Sequence, residues 1–207
     1  MLIFLDARLA YLATPKTATT AIEIALRRRA DIVLQRGRKH MPARRFAKKV
    51  APFIKDTFDL ELETVAIMRE PLDHLRSWYS YRTREEKIEP AKSTSSVSFD
   101  KFIADLMAKR PPDYARINGQ YSFLCENGVL RVTHLFAYPN IDEFRAFMAK
   151  RLKTNVKLDV HNVSPGVDTS LCDKTFDRLR RARAAEFELY DRLIASGGYL
   201  HTAGAEG

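Results

Sequence analysis

This chain of 207 residues has little cysteine, little glycine and no long apolar run. Its two cysteines, Cys125 and Cys172, stand far apart and fit no metal-ligand spacing, so neither a zinc site nor a disulfide framework is implied. No stretch approaches the roughly 20 apolar residues of a membrane span, and no signal peptide is evident. Leu2, Ile3, Phe4 and Leu5 are interrupted at once by Asp6 and Arg8, so they read as an opening strand. A cytoplasmic location is the expectation. No glycine occurs between Met1 and Arg36. The first strand-to-helix connection is therefore not a Walker A loop, whose glycines let the backbone wrap phosphates, and ordinary ATP or GTP hydrolysis is disfavoured. Acid is short as well: 26 Asp and Glu against 35 Lys and Arg leave a net charge of +9. Such a balance suits nucleic acid or small polyanions.

What is present begins at Arg8–Ala30. Leu9 to Ala13 reads as a buried strand. It runs into Thr14-Pro15-Lys16-Thr17-Ala18-Thr19-Thr20, and a helical pattern follows with Ala21, Ile22, Ala25 and Leu26 on one face. A strand, a tight turn and a helix N-terminus make an anion cradle, because the first N–H groups of a helix lack intrahelical acceptors and its dipole favours negative charge there. Lys16 supplies a point charge, and Thr17, Thr19 and Thr20 supply neutral donors.

The rest of the chain alternates strands with helices, which predicts one domain over 1–207 with a mostly parallel sheet covered on both faces. Asp31–Leu34 suits a short strand. Arg36-Gly37-Arg38-Lys39-His40-Met41-Pro42 is a loop, and Pro42–Val50 a short basic helix. Between Arg27 and Lys49 ten basic residues face one acid. Glu63–Met68 is a buried strand ending in Arg69-Glu70-Pro71, with a helix through Leu72, Leu75 and Tyr79. Thr83–Ser98 is polar and is expected to be a mobile lid. Ser98 caps a helix through Leu106. Further helices are expected over Tyr114–Leu124, from Asn140 through Leu152 as a capping box with Glu143, and from Asp173 to Ser196. One strand is expected over Val129–Ala137, and Val156–Val163 as an extended piece.

Val65-Ala66-Ile67-Met68-Arg69-Glu70-Pro71 is followed by Ser77 and Trp78, giving a buried strand, R-x-P, a serine eight positions after the arginine, and an aromatic. Together with the earlier P-K-x-x-T-T order, this resembles the two donor-binding segments of sulfotransferases that use 3′-phosphoadenosine 5′-phosphosulfate (PAPS), closest to the carbohydrate-modifying branch. Lys39-His40-Met41, Gln120, His161-Asn162-Val163-Ser164 and Glu188-Leu189-Tyr190-Asp191 match further recurrent positions of that family. The chain departs from it at Ala18, where glycine is common, and at Tyr138-Pro139, where an acidic residue is usual.

The resemblance implies a P-loop-like three-layer fold and in-line transfer of a sulfuryl group to a hydroxyl. Pro15, Lys16, Thr17, Ala18, Thr19 and Thr20 would hold the 5′-phosphosulfate, and Arg69 with Ser77 the 3′-phosphate. Lys16 would stabilise the leaving oxygen and His40 act as general base. No metal is required, since protein cations and N–H groups neutralise the charge. Arg38, Lys39, Arg44 and Gln120 are candidates for binding a hydroxylated, sugar-like acceptor. The chain is short for this family, so the acceptor site is either open or completed by a second subunit. Two other classes compete: a P-loop-like kinase of a small metabolite, which the missing glycines disfavour, and a basic nucleic-acid-binding domain, for which no recognised motif is present.

Overall fold

The structure is a computed structural model and describes residues 1–84, 88–158 and 166–202. The opening residues form a hairpin. β1 (Leu2–Phe4) pairs antiparallel with β2 (Leu9–Tyr11), Ile3 opposite Ala10. Arg8, at φ 48°, closes the turn and donates its N–H to Leu5 O at 2.9 Å. So short a connection permits only an antiparallel pair. β3 (Ile32–Val33) lies antiparallel on the outer side of β1. β4 (Glu63–Met68) runs parallel to β2, and β7 (His134–Ala137) parallel to β4. β8 (Tyr199–His201) returns antiparallel along β7.

The sheet order is β3-β1-β2-β4-β7-β8. The fold is α/β, but the sheet is mixed and not mostly parallel. Only the central pairings, β2 with β4 and β4 with β7, are parallel. Of the antiparallel flanks, only the β1–β2 pair is joined by a short turn; β8 reaches β7 after a long intervening stretch of chain. Gly197-Gly198, which turn the chain into β8, are both at positive φ (80° and 86°), a conformation that glycine adopts without a Cβ penalty.

The central strands are buried on both faces. Val65 and Ile67 of β4 pack with Ile22 and Leu26 of α1 (Thr19–Leu26) and with Phe144 and Met148 of α7 (Ile141–Arg151). Ala66 and Met68 face the other way. They meet Phe46 of α2 (Ala43–Lys49), Ile54 of α3 (Ala51–Phe58), Leu124 of α6 (Gln120–Leu124) and Leu193 of α9 (Ala184–Ala195). A third cluster joins α4 (Pro71–Arg82), α5 (Phe99–Leu106) and α8 (Asp173–Ala182) through Leu75, Phe102 and Leu179.

Several expected elements are divided. Tyr114–Leu124 is not one helix: a 3-10 turn at Asp113–Ala115 leads through extended chain into α6. The Arg82 guanidinium donates to the carbonyls of Asp113 (2.9 Å) and Tyr114 (2.7 Å), supplying the partners that a helix would otherwise provide. Asp173–Ser196 is two helices, broken at Arg183, whose guanidinium turns inward to Ile117 O at 2.8 Å. Val129–Ala137 splits between β7 and a small hairpin of β5 (Cys125–Glu126) and β6 (Val129–Leu130). Asn140 makes no side-chain cap. Its amide instead donates to Glu143 (3.0 Å) and to Gly197 O (3.3 Å), tying α7 to the return before β8.

Of the stretch expected to be a lid, 88–98 is anchored on α4. Thr94 is fully buried and donates to Tyr79 O at 2.8 Å, and Tyr79 Oη donates to Val97 O at 2.6 Å. The expected His161-Asn162-Val163-Ser164 turn lies outside the described residues. Among the described residues no helix is long and apolar enough to cross a membrane.

Candidate functional site

β2 and β4 are parallel neighbours, with Tyr11 opposite Val65. The loops that leave their C-terminal ends therefore emerge side by side, at the edge where open α/β sheets collect ligands. This is why residues 53 apart in the sequence meet: Arg69 Nη1 donates to Lys16 O at 3.3 Å.

The first loop is held in an unusual shape. Lys16 and Ala18 both take left-handed backbone angles, φ 65° and 57°. Thr17 is fully buried and donates its hydroxyl to Thr14 O at 2.8 Å, so it braces the turn and is not an open donor. Thr19 and Thr20 open α1, whose first helical bond runs from Ile22 N–H to Ala18 O at 3.1 Å. The N–H groups of Thr19, Thr20 and Ala21 have no acceptor among the described residues, and α1 carries neither a side-chain cap nor an acid in its first turn. That end of α1 is free for an anion. The N-terminus of α4 differs: Glu70 accepts from Asp73 N–H at 2.5 Å, and Asp73 pairs with Arg69 Nε.

Lys16 Nζ sits over the rings of Tyr81 (4.0 Å to the centroid) and Trp78 (5.5 Å). Burial and the nearby Arg84 and Arg69 charges pull its pKa down to about 8. Arg69 also stacks on Tyr138 at 4.8 Å.

His74 ties the two motifs together. Its ring is 1% exposed and bonds Pro15 O through Nε2 at 3.2 Å. A carbonyl only accepts, so Nε2 carries the proton. Burial and the charges of Arg183, Arg69 and Lys16 push its pKa down to about 3, so the ring is neutral at pH 7. Nothing in the sequence distinguishes it from a surface histidine.

A cavity of about 260 Å³ opens beside the loop, walled by Pro15, His40, Trp78, Asn118, Gln120 and Phe123 among others. His40 Nδ1 donates to Ala13 O at 2.7 Å, which leaves Nε2 with a lone pair. Burial of the ring's inner edge and the Lys39 charge, against the raising effect of the Ala13 bond, move its pKa below the usual histidine value. The residue as a whole is nonetheless exposed. A neutral imidazole with a fixed tautomer and one accessible lone pair is equipped to take a proton from a hydroxyl.

No family model matches this chain, and no curated protein matches it.

The remaining predicted residues divide. Ser77 is buried on α4, and its hydroxyl makes no hydrogen bond to a described residue. Gln120 lines the cavity, but its amide is engaged by Arg69. Its Oε1 accepts Arg69 N–H at 2.9 Å, and its Nε2 donates to Arg69 O at 2.8 Å. It positions Arg69, and its Nε2 also reaches Glu186 Oε1 at 3.5 Å. Lys39 forms a half-buried ion pair with Glu23 at 2.7 Å and is not open to an acceptor either. Arg38 and Arg44 are exposed and do not wall the cavity. Glu186, 3% exposed, was invisible to sequence reasoning. It accepts Gln120 N–H at 2.8 Å, and a Cβ on Gly119 would approach its carboxylate to 2.3 Å, so a larger residue there would push that carboxylate aside.

Proposed function

We propose that this chain is a sulfotransferase that moves a sulfuryl group from PAPS to a hydroxyl of a sugar-like or other small hydroxylated acceptor. The observation that carries the reading is the contact between the Arg69 guanidinium and the Lys16 carbonyl. Two cation-bearing loops from parallel neighbours meet at one edge of the sheet, as a ligand with phosphates at both ends requires. In this reading the loop after β2 and α1 form a P-loop-like cradle for the 5′-phosphosulfate, through Lys16 and the free N–H groups of Thr19, Thr20 and Ala21. Arg69, released in part from Asp73, takes the 3′-phosphate with Ser77 nearby.

The acceptor oxygen attacks sulfur in line. A new S–O bond forms as the bond from sulfur to the bridging phosphate oxygen breaks. The acceptor proton passes to His40 Nε2. Lys16 stabilises charge on the leaving oxygen, a task for a preorganised cation in a partly dry site. The acceptor enters the cavity beside His40.

Calorimetry with 3′-phosphoadenosine 5′-phosphate, the desulfated donor, tests the reading. The wild type is expected to bind it, and to bind adenosine 5′-monophosphate more weakly. Lys16→Ala and Arg69→Ala should each weaken binding roughly 10- to 100-fold, the usual scale for a lost hydrogen bond to a charged group. Absence of binding, or equal affinity for the two nucleotides, rejects it.

A further inference from the structure

The resting place of the Lys16 ammonium is not explained by the loop that carries it. Lys16 pairs with no carboxylate among the described residues. Its Nζ lies 4.0 Å from the centre of the Tyr81 ring and 5.5 Å from that of Trp78, both on α4. The same two rings collect other cations. Arg84 stands 6.0 Å from the Tyr81 ring and Arg82 5.4 Å from the Trp78 ring. Trp78 and Tyr81 are themselves packed edge to face, with centroids 6.1 Å apart. Like charges are thus gathered on an aromatic pair, where the negative ring face offsets their repulsion.

We infer that Tyr81, backed by Trp78, is a positioning residue for Lys16: its ring face holds the ammonium at the mouth of the loop, beside Arg84, where the leaving oxygen of an anionic donor would arrive. This inference rests on the reading of Lys16 as a donor-binding cation. The alternative places for a free lysine are solution or a carboxylate. Either would have to be undone before the lysine met a phosphosulfate. A ring face holds the charge weakly enough to be exchanged for an anion. It also opposes the pull of burial toward the neutral amine, which would be useless for stabilising an oxyanion.

Among the described residues, the charged and titratable groups that face Lys16 are Arg84, Arg69, His74 and the Tyr81 phenol itself, with Arg82 behind Trp78. His74 is neutral, so the arginines set the field at neutral pH. The arginines stay in place in both Tyr81 variants, so a difference between the variants in the Lys16 titration reports on the ring.

The test uses the full chain with lysine side chains labelled at Cε, and follows the Lys16 signal by NMR against pH without ligand. The wild type should titrate near pH 8. Tyr81→Phe keeps the ring face and should titrate close to the wild type. Tyr81→Leu keeps bulk and burial but removes the face, so its midpoint should fall by one-half to one pH unit. The desulfated donor should then bind Tyr81→Leu several-fold more weakly at pH 8, with Tyr81→Phe restoring wild-type affinity. A Lys16 midpoint unmoved in Tyr81→Leu overturns the positioning role and leaves the donor site intact. A midpoint that falls in Tyr81→Leu, with a wild type that binds no desulfated donor, supports the positioning of Lys16 and overturns the proposed function instead.

Discussion

Replacing His40 with alanine is expected to lower turnover by about 10²- to 10⁴-fold, the range of a positioned general base, while leaving the affinity for the desulfated donor unchanged. The split follows from geometry. His40 bonds the loop through Ala13 O and lines the cavity, which Arg69 does not, so its loss removes the proton acceptor and leaves the Arg69 contacts in place. The pH profile carries a second mark. Because the pKa of His40 is lowered, the neutral form dominates at pH 7. Activity should rise with pH through a value below the ordinary 6.5 or so of a free histidine, and the variant should lose that limb. Steady-state rates with a labelled donor, measured beside calorimetry, check both parts. A variant that turns over at near wild-type rate removes His40 from the mechanism.

The second large effect concerns stability and His74. Its pKa is about 3 in the folded chain against 6.5 when free. The unfolded chain therefore takes up a proton below pH 6.5 that the folded chain refuses until about pH 3. Stability conferred by the neutral ring is fully present above pH 6.5 and drains away as pH falls through that window. Each unit of difference corresponds to about 1.4 kcal/mol, so the loss reaches about 3 kcal/mol by pH 4.5. Urea unfolding of the wild type and of His74→Gln at pH 7 and pH 4.5 isolates the contribution, since other groups titrate in both. The stability gap between the two proteins should shift by that amount in favour of the glutamine variant on acidification. A gap that stays constant with pH shows that the ring is not held neutral.

These residues also mark how far the sequence could be read. The two loops were legible because their chemistry is local: a lysine and hydroxyls before a helix, an arginine after a buried strand. That they would touch was legible only as an implication of family likeness. Its physical cause, the parallel pairing of β2 with β4, depends on a hydrogen-bond ladder between strands more than 50 residues apart. The mixed sheet was missed because Leu2–Phe4 and Leu9–Tyr11 carry apolar runs that fit either direction, and the turn at Arg8 contains no glycine to announce a hairpin. β8 was missed because Gly197-Gly198 reads as an ending and is a reversal. Gln120 was legible as a site residue but not in its role. Its partners are the backbone of Arg69, and backbone partners leave no trace in side-chain patterns. His74 and Glu186 became visible only with burial.

The left-handed angles at Lys16 and Ala18 have a consequence for affinity. An alanine held there costs on the order of 1 kcal/mol that a glycine would not. A glycine would also let the loop wander among many shapes, and an incoming anion would have to freeze one of them. The strained turn has its curvature fixed before any ligand arrives, so entropy that binding would otherwise lose has already been lost in folding. Rigidity of this kind favours slow release of a tightly fitting anion over tolerance for many.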